Sequence, residues 1–414
     1  MPWSAPYRRR GLSGRLSIPG SKSATARALV LASLADHRGT IRGALVARDT
    51  RLMVQGLRQL GALIDDSSDC WSVDPIANWP IQADIDVGLA GTVMRFLAPV
   101  AALGAGQISF HGDPQASARP MGPLLQGLNQ LGATITGTAL PFTVKGPITG
   151  RLASIDASTS SQFMSALLLS GPAMAQGLTL RQTGDRLPSQ PHIAMTIAAL
   201  EEHGVTLDRS DQQWRVDHQA IKAIDQRIEA DTTTAAAFLA AAAICGGEVT
   251  IVGWPQHSLQ PGGQILDVLQ SMGVGIVSDG EQMTVHGHGE LQGVDVDLSG
   301  ASELTPVVTA LAALAKGPSR IRGVGHIRGH ETDRIAALAR EINALGGAVT
   351  AVDDGLIIEP RRLHAGLFHT YHDHRMAHAA CLIGLRVEGT RLDDVACTSK
   401  TMPTFPQQWL ELVG

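Results

Sequence analysis

Apolar positions follow two rhythms along the chain. The first is a helical stripe that closes on glycine and is followed by small or β-branched residues. It runs as GLRQLGALI to Ile64, GLNQLGATI to Ile135, ALEEHGVTL to Leu207, VLQSMGVGI to Ile276 and EINALGGAV to Val349, and again as WLELVG to Gly414. The glycines concerned, Gly61, Gly132, Gly204, Gly273, Gly346 and Gly414, recur about every seventy residues. Each predicts an amphipathic helix ended by a C′ glycine in the left-handed region. The second rhythm is short alternation bounded by glycine, in GTIRGALV, GQISFHG, GLTLRQ, GEVTIVG and SRIRGVG, and it predicts strands. Six mixed α/β units of this kind make two lobes of three. A six-repeat solenoid is the alternative, but solenoid units are shorter, at roughly 20–50 residues, and share a denser signature. The lobe boundary is expected near Arg227 to Asp231, where Asp231 and three threonines form an N-cap signal ahead of an alanine-rich run.

Composition narrows the class. Of 414 residues, 44% are hydrophobic and 17% charged, which excludes a disordered chain and leaves ample core for two or three domains. Net charge is −5 without a basic block, so no nucleic-acid partner is expected and any anion site must be a local cluster of cations. Cys70, Cys245, Cys381 and Cys397 lie far apart with no CxxC pair and read as buried thiols in a reducing compartment. No apolar stretch follows the charged MPWSAPYRRRGLSG, and the longest apolar run, Ala235 to Cys245, is about half a bilayer span. A soluble cytoplasmic protein without membrane association is expected. Lys22, Lys145, Lys222, Lys316 and Lys400 are the only lysines beside 28 arginines, so each is a candidate for work such as proton transfer.

Candidate chemistry gathers at predicted helix starts. In IPGSKSATARALVLASL, Pro19-Gly20 precedes a helix opened by Ser21, Lys22 and Ser23, with Arg27 one turn beyond Ser23 on the same face. A helix N-terminus with Lys22, Ser23 and Arg27 suits a phosphate or carboxylate. It is not a Walker loop, because Ser21 stands where the second glycine of GxxxxGK[ST] belongs. Gly91-Thr92 offers backbone N–H groups at another helix start, and Arg119-Pro120 stands before a third. Ser160, Ser161 and Gln162 head an apolar helix as a polar cradle, while Ser189 and His192 occupy a turn before the next.

Glu303 precedes an almost wholly apolar helix, where a carboxylate is either an ordinary helix-start acid or a general base. His326, Arg328, His330, Glu331 and Arg334 fall within nine residues. His372, His374 and His378 have a metal-ligand spacing, but no cysteine is near and Arg375 puts a cation among them. Arg375 therefore reads better as an anion contact at a helix start. Lys400 lies in a polar loop before the last helix. Together Lys22, Arg27, Arg119, Arg334, Arg375 and Lys400 concentrate positive potential in one cleft of an acidic protein.

The strings PGSKSxxxR, LAGTxMR, RPM, SSQF, ETDR, DHRMA and KTxP, in this order, resemble the 5-enolpyruvylshikimate-3-phosphate synthase family over essentially the whole chain from Leu12. The resemblance implies an α/β fold, a two-domain inside-out α/β barrel of six βαβαββ repeats, three per domain around buried parallel helices. One domain, residues 1–19 and 230–414, would hold both termini; residues 20–229 would form an inserted domain, with the active site in the cleft between them. The implied reaction moves the enolpyruvyl group of phosphoenolpyruvate to the 5-hydroxyl of shikimate 3-phosphate and releases phosphate. It implies no metal or organic cofactor, and a monomer whose partners are these two small molecules.

Carried over by position, Ser23, Arg27, Ser160, Ser161, Ser189 and His330 would hold shikimate 3-phosphate, and Lys22 and Gln162 would touch both substrates. Gly91, Arg119, Arg334, Arg375 and Lys400 would hold phosphoenolpyruvate, with His374 at its phosphate end. Glu303 would accept the hydroxyl proton, and Glu331 with Lys22 would handle protons at the methylene. Against the commoner family pattern, Glu303 replaces Asp, Leu89 replaces Asn, His192 replaces Tyr, His326 replaces Asn and His330 replaces Lys. A histidine at 330 predicts a charge that changes near neutral pH, so that shikimate 3-phosphate affinity weakens above about pH 7. The alternative activity is enolpyruvyl transfer to UDP-N-acetylglucosamine; that related family typically has a cysteine in the loop before Arg-Pro, where this chain reads GDPQASARP.

Overall fold

Each rhythm of the chain becomes one kind of element. The structure is a computed structural model and describes residues 2–9 and 11–414. The chain divides into two compact units, Gly20–Ile228 (the inserted unit) and Met1–Pro19 with Glu229–Gly414 (the terminal unit). Helices of the inserted unit are α1 (Lys22–Ser33), α2 (Arg48–Gln59), α3 (Gly91–Ala101), α4 (Gly122–Gln130), α5 (Gln162–Ser170) and α6 (Gln190–Glu202). Those of the terminal unit are α7 (Thr232–Cys245), α8 (Ile265–Ser271), α9 (Thr305–Ala313), α10 (Arg334–Ala344), α11 (His374–Gly384) and α12 (Phe405–Val413).

One repeat shows the plan. Strand Gln82–Asp86 leads through α3 to strand Gln107–His111, which pairs parallel to it. The chain then passes through α4 to the hairpin Thr134–Thr136 and Phe142–Lys145, whose second strand pairs antiparallel with Gln107–His111. The same order, a parallel pair followed by an antiparallel hairpin, recurs in four other sheets, and a three-stranded sheet abbreviates it. Two strands close the repeats from a distance. Asp225–Arg227 pairs parallel with Gly39–Arg42 in the inserted unit, and Leu12–Ser17 pairs parallel with Gly247–Val252 in the terminal unit.

The helices divide by position in the repeat. Those ending on the recurrent glycines are amphipathic: α2 buries Leu52, Met53, Val54 and Leu57 and exposes Arg51, Gln55 and Arg58. Gly132 and Gly204 follow α4 and α6 with φ of 97° and 74°, values that a side chain resists. The other helix of each repeat is enclosed and buries most of its side chains, including a few charged ones. Every residue of α3, α7, α9 and α11 is buried. In the inserted unit α1, α3 and α5 pack on one another, as α7, α9 and α11 do in the terminal unit. The apolar run Ala235 to Cys245 is thus a core helix. Among the described residues no helix is long and apolar enough to cross a membrane.

Close helix–sheet packing gives a stability test. A Cβ on Gly287 would lie 1.9 Å from the Ala242 carbonyl oxygen, whereas nothing stands within 4 Å of one on Gly263. Gly287→Ala is expected to lower unfolding free energy by about 3 kcal/mol or more, and Gly263→Ala to change it by about 0.5 kcal/mol or less. Urea unfolding midpoints of the two variants check this.

Candidate active site

The nominated side chains lie in the first turns of helices or in the segments just before them. There free N–H groups and the helix dipole favour an anion. In the inserted unit Ser21 caps α1 by accepting from the Ala24 N–H. Arg27, one turn further, is 2% exposed, and its hydrogen-bond partners are neutral. It donates to Thr196 Oγ1 at 2.8 Å, to the His192 carbonyl at 2.7 Å, to the Ser23 carbonyl at 3.0 Å and to the Ser23 hydroxyl. Burial without a carboxylate among the described residues pulls its pKa down to about 9. A buried cation in that state is stabilised by an incoming anion. Lys22 instead reaches Asp49 Oδ2 at 3.3 Å, at the first turn of α2.

Arg119 is also buried, and its Nη1 donates to the Leu89 carbonyl at 2.9 Å. Its guanidinium lies against Gly91, so closely that a Cβ there would stand 2.7 Å from Nη2. Glycine at 91 is therefore what seats Arg119. Arg95, in the next turn of α3, donates to Gln162 Oε1 at 2.8 Å and to the Pro120 carbonyl at 3.1 Å, so one guanidinium ties α3 to the head of α5 and to the Arg119 segment. Ser160 lies within 3.4 Å of the same Arg95. Ser161 is the N-cap of α5, and Ser189 caps α6 with a φ of 49°. Helix α4 begins at Gly122 with Pro123 in its first turn, so Pro120 lies upstream of the helix.

In the terminal unit Arg334 and Lys400 are each bonded to a carboxylate. Arg334 at the start of α10 is 2% exposed and donates to both oxygens of buried Asp373, at 2.8 and 3.0 Å. It also donates to Glu331 Oε2 at 2.9 Å, and Lys400 reaches the other oxygen, Oε1, at 2.6 Å. Burial alone would lower the Arg334 pKa, but the Asp373 and Glu331 carboxylates, with a further contribution from Glu303, hold it above its ordinary value. Asp373 also caps α11, accepting from the Arg375 N–H at 2.9 Å. The Arg375 side chain donates to the Thr233 carbonyl at 3.0 Å, and burial lowers its pKa against the opposing pull of Asp231. Glu303 lies in the short turn Ser302–Leu304 ahead of α9, and its charge acts on both Arg334 and Arg375. His374 is buried, with Nδ1 3.8 Å from Asp373.

His330 lies against the site cations, with its Nδ1 3.1 Å from Arg334 Nη1. The three histidines of the His-x-His segment separate. His372 is exposed and bonds Asp394 at 3.1 Å, whereas His374 and His378 are buried in α11. Burial, with Arg375 and Arg334 nearby, holds His378 well below the usual histidine range. No group of three side chains suited to a metal is found among the described residues. Of the cysteines, Cys245 and Cys381 are buried, but Cys70 and Cys397 are only half-buried, which corrects the expectation for those two.

Asp49, Arg95, Asp373 and Thr196 take part in these networks and are not among the residues the sequence analysis singles out. Arg95 lies in the quoted LAGTVMR string, four residues after Gly91 and so on the same helix face, a usable signal. Asp373 immediately precedes His374-Arg375, where an N-cap acid is common. Asp49 carries no comparable mark.

The sequence model of the family described as EPSP synthase (3-phosphoshikimate 1-carboxyvinyltransferase) matches residues 7–409. A protein of Kocuria rhizophila named 3-phosphoshikimate 1-carboxyvinyltransferase is 48% identical over 429 residues, covering 100% of this chain and 96% of its own length. One of the same name from Mycobacterium ulcerans is 48% identical, covering 100% and 98%. Two solved structures of EPSP synthase from Acinetobacter baumannii share the fold, with TM-scores of 0.80 and 0.78 at 22% and 21% identity. They cover 100% and 99% of this chain, and it covers 98% of each.

The unpaired burial of Arg27 sets a prediction. Arg27→Gln removes the charge and keeps hydrogen-bonding groups, so folding stability is expected to change by no more than about 1 kcal/mol. Stabilisation of the protein by added phosphate should fall sharply in the same variant. Thermal melts of both proteins with and without phosphate measure both effects.

Proposed function

We propose roles for individual side chains on the premise that this chain belongs to the EPSP synthase family and transfers the enolpyruvyl group of phosphoenolpyruvate to the 5-hydroxyl of shikimate 3-phosphate. The observation that carries the reading is the burial of Arg27 and Arg119 among neutral partners. Guanidiniums so placed call for anionic ligands, and the two substrates bring two phosphates and two carboxylates.

Ser23, Arg27, Ser160, Ser161, Ser189 and His330 hold shikimate 3-phosphate. Arg119 seated on Gly91, with Arg334, Arg375, Lys400 and His374, holds phosphoenolpyruvate, and Lys22 and Gln162 touch both substrates. Arg95 orients the Gln162 carboxamide through its bond to Oε1. The cations fix the substrates and offset charge as it develops.

The chemistry is addition followed by elimination. A proton delivered to the methylene carbon of phosphoenolpyruvate makes C2 electrophilic. The 5-hydroxyl oxygen forms a bond to C2 as its proton passes to Glu303, and the tetrahedral adduct then loses a methyl proton and inorganic phosphate. Glu331, accepting from both Arg334 and Lys400, is ionised in this arrangement. It serves as the acceptor in the elimination, and it can donate only after taking a proton, for which the Lys400 ammonium at 2.6 Å is the nearest source. Lys22 is the second proton-handling group at the methylene.

The enzyme works as a cytoplasmic monomer. Four free cysteines support a reducing compartment, and size-exclusion chromatography at 43.5 kDa tests the monomer.

Two assays test the reading. Phosphate release from phosphoenolpyruvate is expected with shikimate 3-phosphate and absent with UDP-N-acetylglucosamine; turnover of the nucleotide sugar alone overturns it. Glu303→Gln should leave both KM values within a few-fold while kcat falls on the order of 10²–10⁴-fold, and an unchanged kcat removes Glu303 from the role of base.

A further inference from the structure

Two consecutive residues ahead of α11, Tyr371 and His372, have φ of 55° and 54°. With Ser189 they are the only non-glycine residues in the left-handed region among those described. A residue bearing a Cβ is disfavoured there, so the turn persists only if its surroundings hold it. It leads directly into Asp373, whose carboxylate grips Arg334 with both oxygens and caps the Arg375 N–H. The direction of the Arg334 guanidinium, and the start of the helix that bears Arg375, therefore depend on a turn that is strained in isolation.

Helix α10 reaches across to that turn. Glu341 stands seven residues beyond Arg334, on the same helix face. It is 2% exposed, and each of its oxygens is used. Oε1 accepts from the Tyr371 hydroxyl at 2.5 Å, and Oε2 accepts from the His369 N–H at 2.9 Å. Arg340 donates to the Tyr371 oxygen at 3.3 Å. From the other side Asp393 accepts from the Thr370 N–H and hydroxyl, at 2.9 and 2.8 Å, and Asp394 bonds the His372 ring. One helix thus carries both the guanidinium to be aimed and the carboxylate that holds the turn aiming it.

We propose that Glu341 and Tyr371 are positioning residues of the enolpyruvyl transfer: the rung they form between α10 and the turn sets Asp373, and through it Arg334, for phosphoenolpyruvate. The inference rests on the reading of Arg334 as a phosphoenolpyruvate contact. Neither residue touches substrate. Loss of the rung lets the Asp373–Arg334 fork splay, and phosphoenolpyruvate loses part of its bidentate partner while shikimate 3-phosphate does not.

Steady-state kinetics of Tyr371→Phe and Glu341→Gln test this. Tyr371→Phe removes only the hydroxyl at a half-buried ring, so it remains informative if the buried Glu341 variant fails to fold. Each variant is expected to raise KM for phosphoenolpyruvate by about five-fold or more, leaving KM for shikimate 3-phosphate within about two-fold. The double variant should be little worse than either single one, because both remove the same rung. A lowered melting temperature with KM for phosphoenolpyruvate unchanged would make the rung a staple of the fold and overturn the proposal. Arg334→Lys, which cannot form the fork, separates the two readings. If it raises KM for phosphoenolpyruvate and the rung variants do not, the inference alone fails. If it leaves that KM unchanged, the role of Arg334 fails and takes the inference with it.

Discussion

A guanidinium taken out of water must find a negative partner or bear the cost of its own desolvation, and the buried cations of each unit are arranged by that constraint. Each unit builds its core from three helices that are apolar along nearly their full length. The polar ends of those helices are the natural outlet for backbone N–H groups, and cations placed there are drawn into a buried environment. Arg27 lies in the second turn of α1 and Arg375 at the start of α11, whereas Arg119 ahead of α4 and Arg334 at the start of α10 are buried at the heads of the neighbouring helices.

Arg27 and Arg334 answer the constraint in opposite ways. In the inserted unit Arg27 leans on hydroxyls and carbonyls, and burial lowers its pKa. In the terminal unit Arg334 is held between Asp373 and Glu331, and its charge is secured before any substrate arrives. A cation already paired gains less from one more anion, but its geometry is fixed in advance. Geometry fixed in this way is what electrostatic preorganisation requires.

Preorganisation of this sort is stored in strained backbone. Ser189 heads α6 beside the Arg27 network, and Tyr371 and His372 lead into Asp373; all three are in a conformation that glycine would take more easily. None is glycine because each contributes more than a bend. The Tyr371 hydroxyl and the His372 ring are anchored to carboxylates from other elements, and those anchors over-determine the turn.

Much of this was open to reading along the chain. The glycine-closed helices are legible because a stripe and its C′ residue depend on neighbours a few positions away, and the same is true of the caps at Ser21 and Asp231 and of the cations placed at helix starts. The partners lie beyond that range. Asp225–Arg227 closes a sheet with Gly39–Arg42 from the far end of its unit, and Asp373 meets Arg334 across 39 residues. His330 could be read as a substitute cation from its position, but its contact with Arg334 could not. What a side chain is and where its helix begins are local facts, fixed by torsional preference and by period. Whether its charge is paired, stripped of water or aimed is decided only when distant segments pack, because burial and hydrogen bonding are properties of the neighbours that the fold supplies.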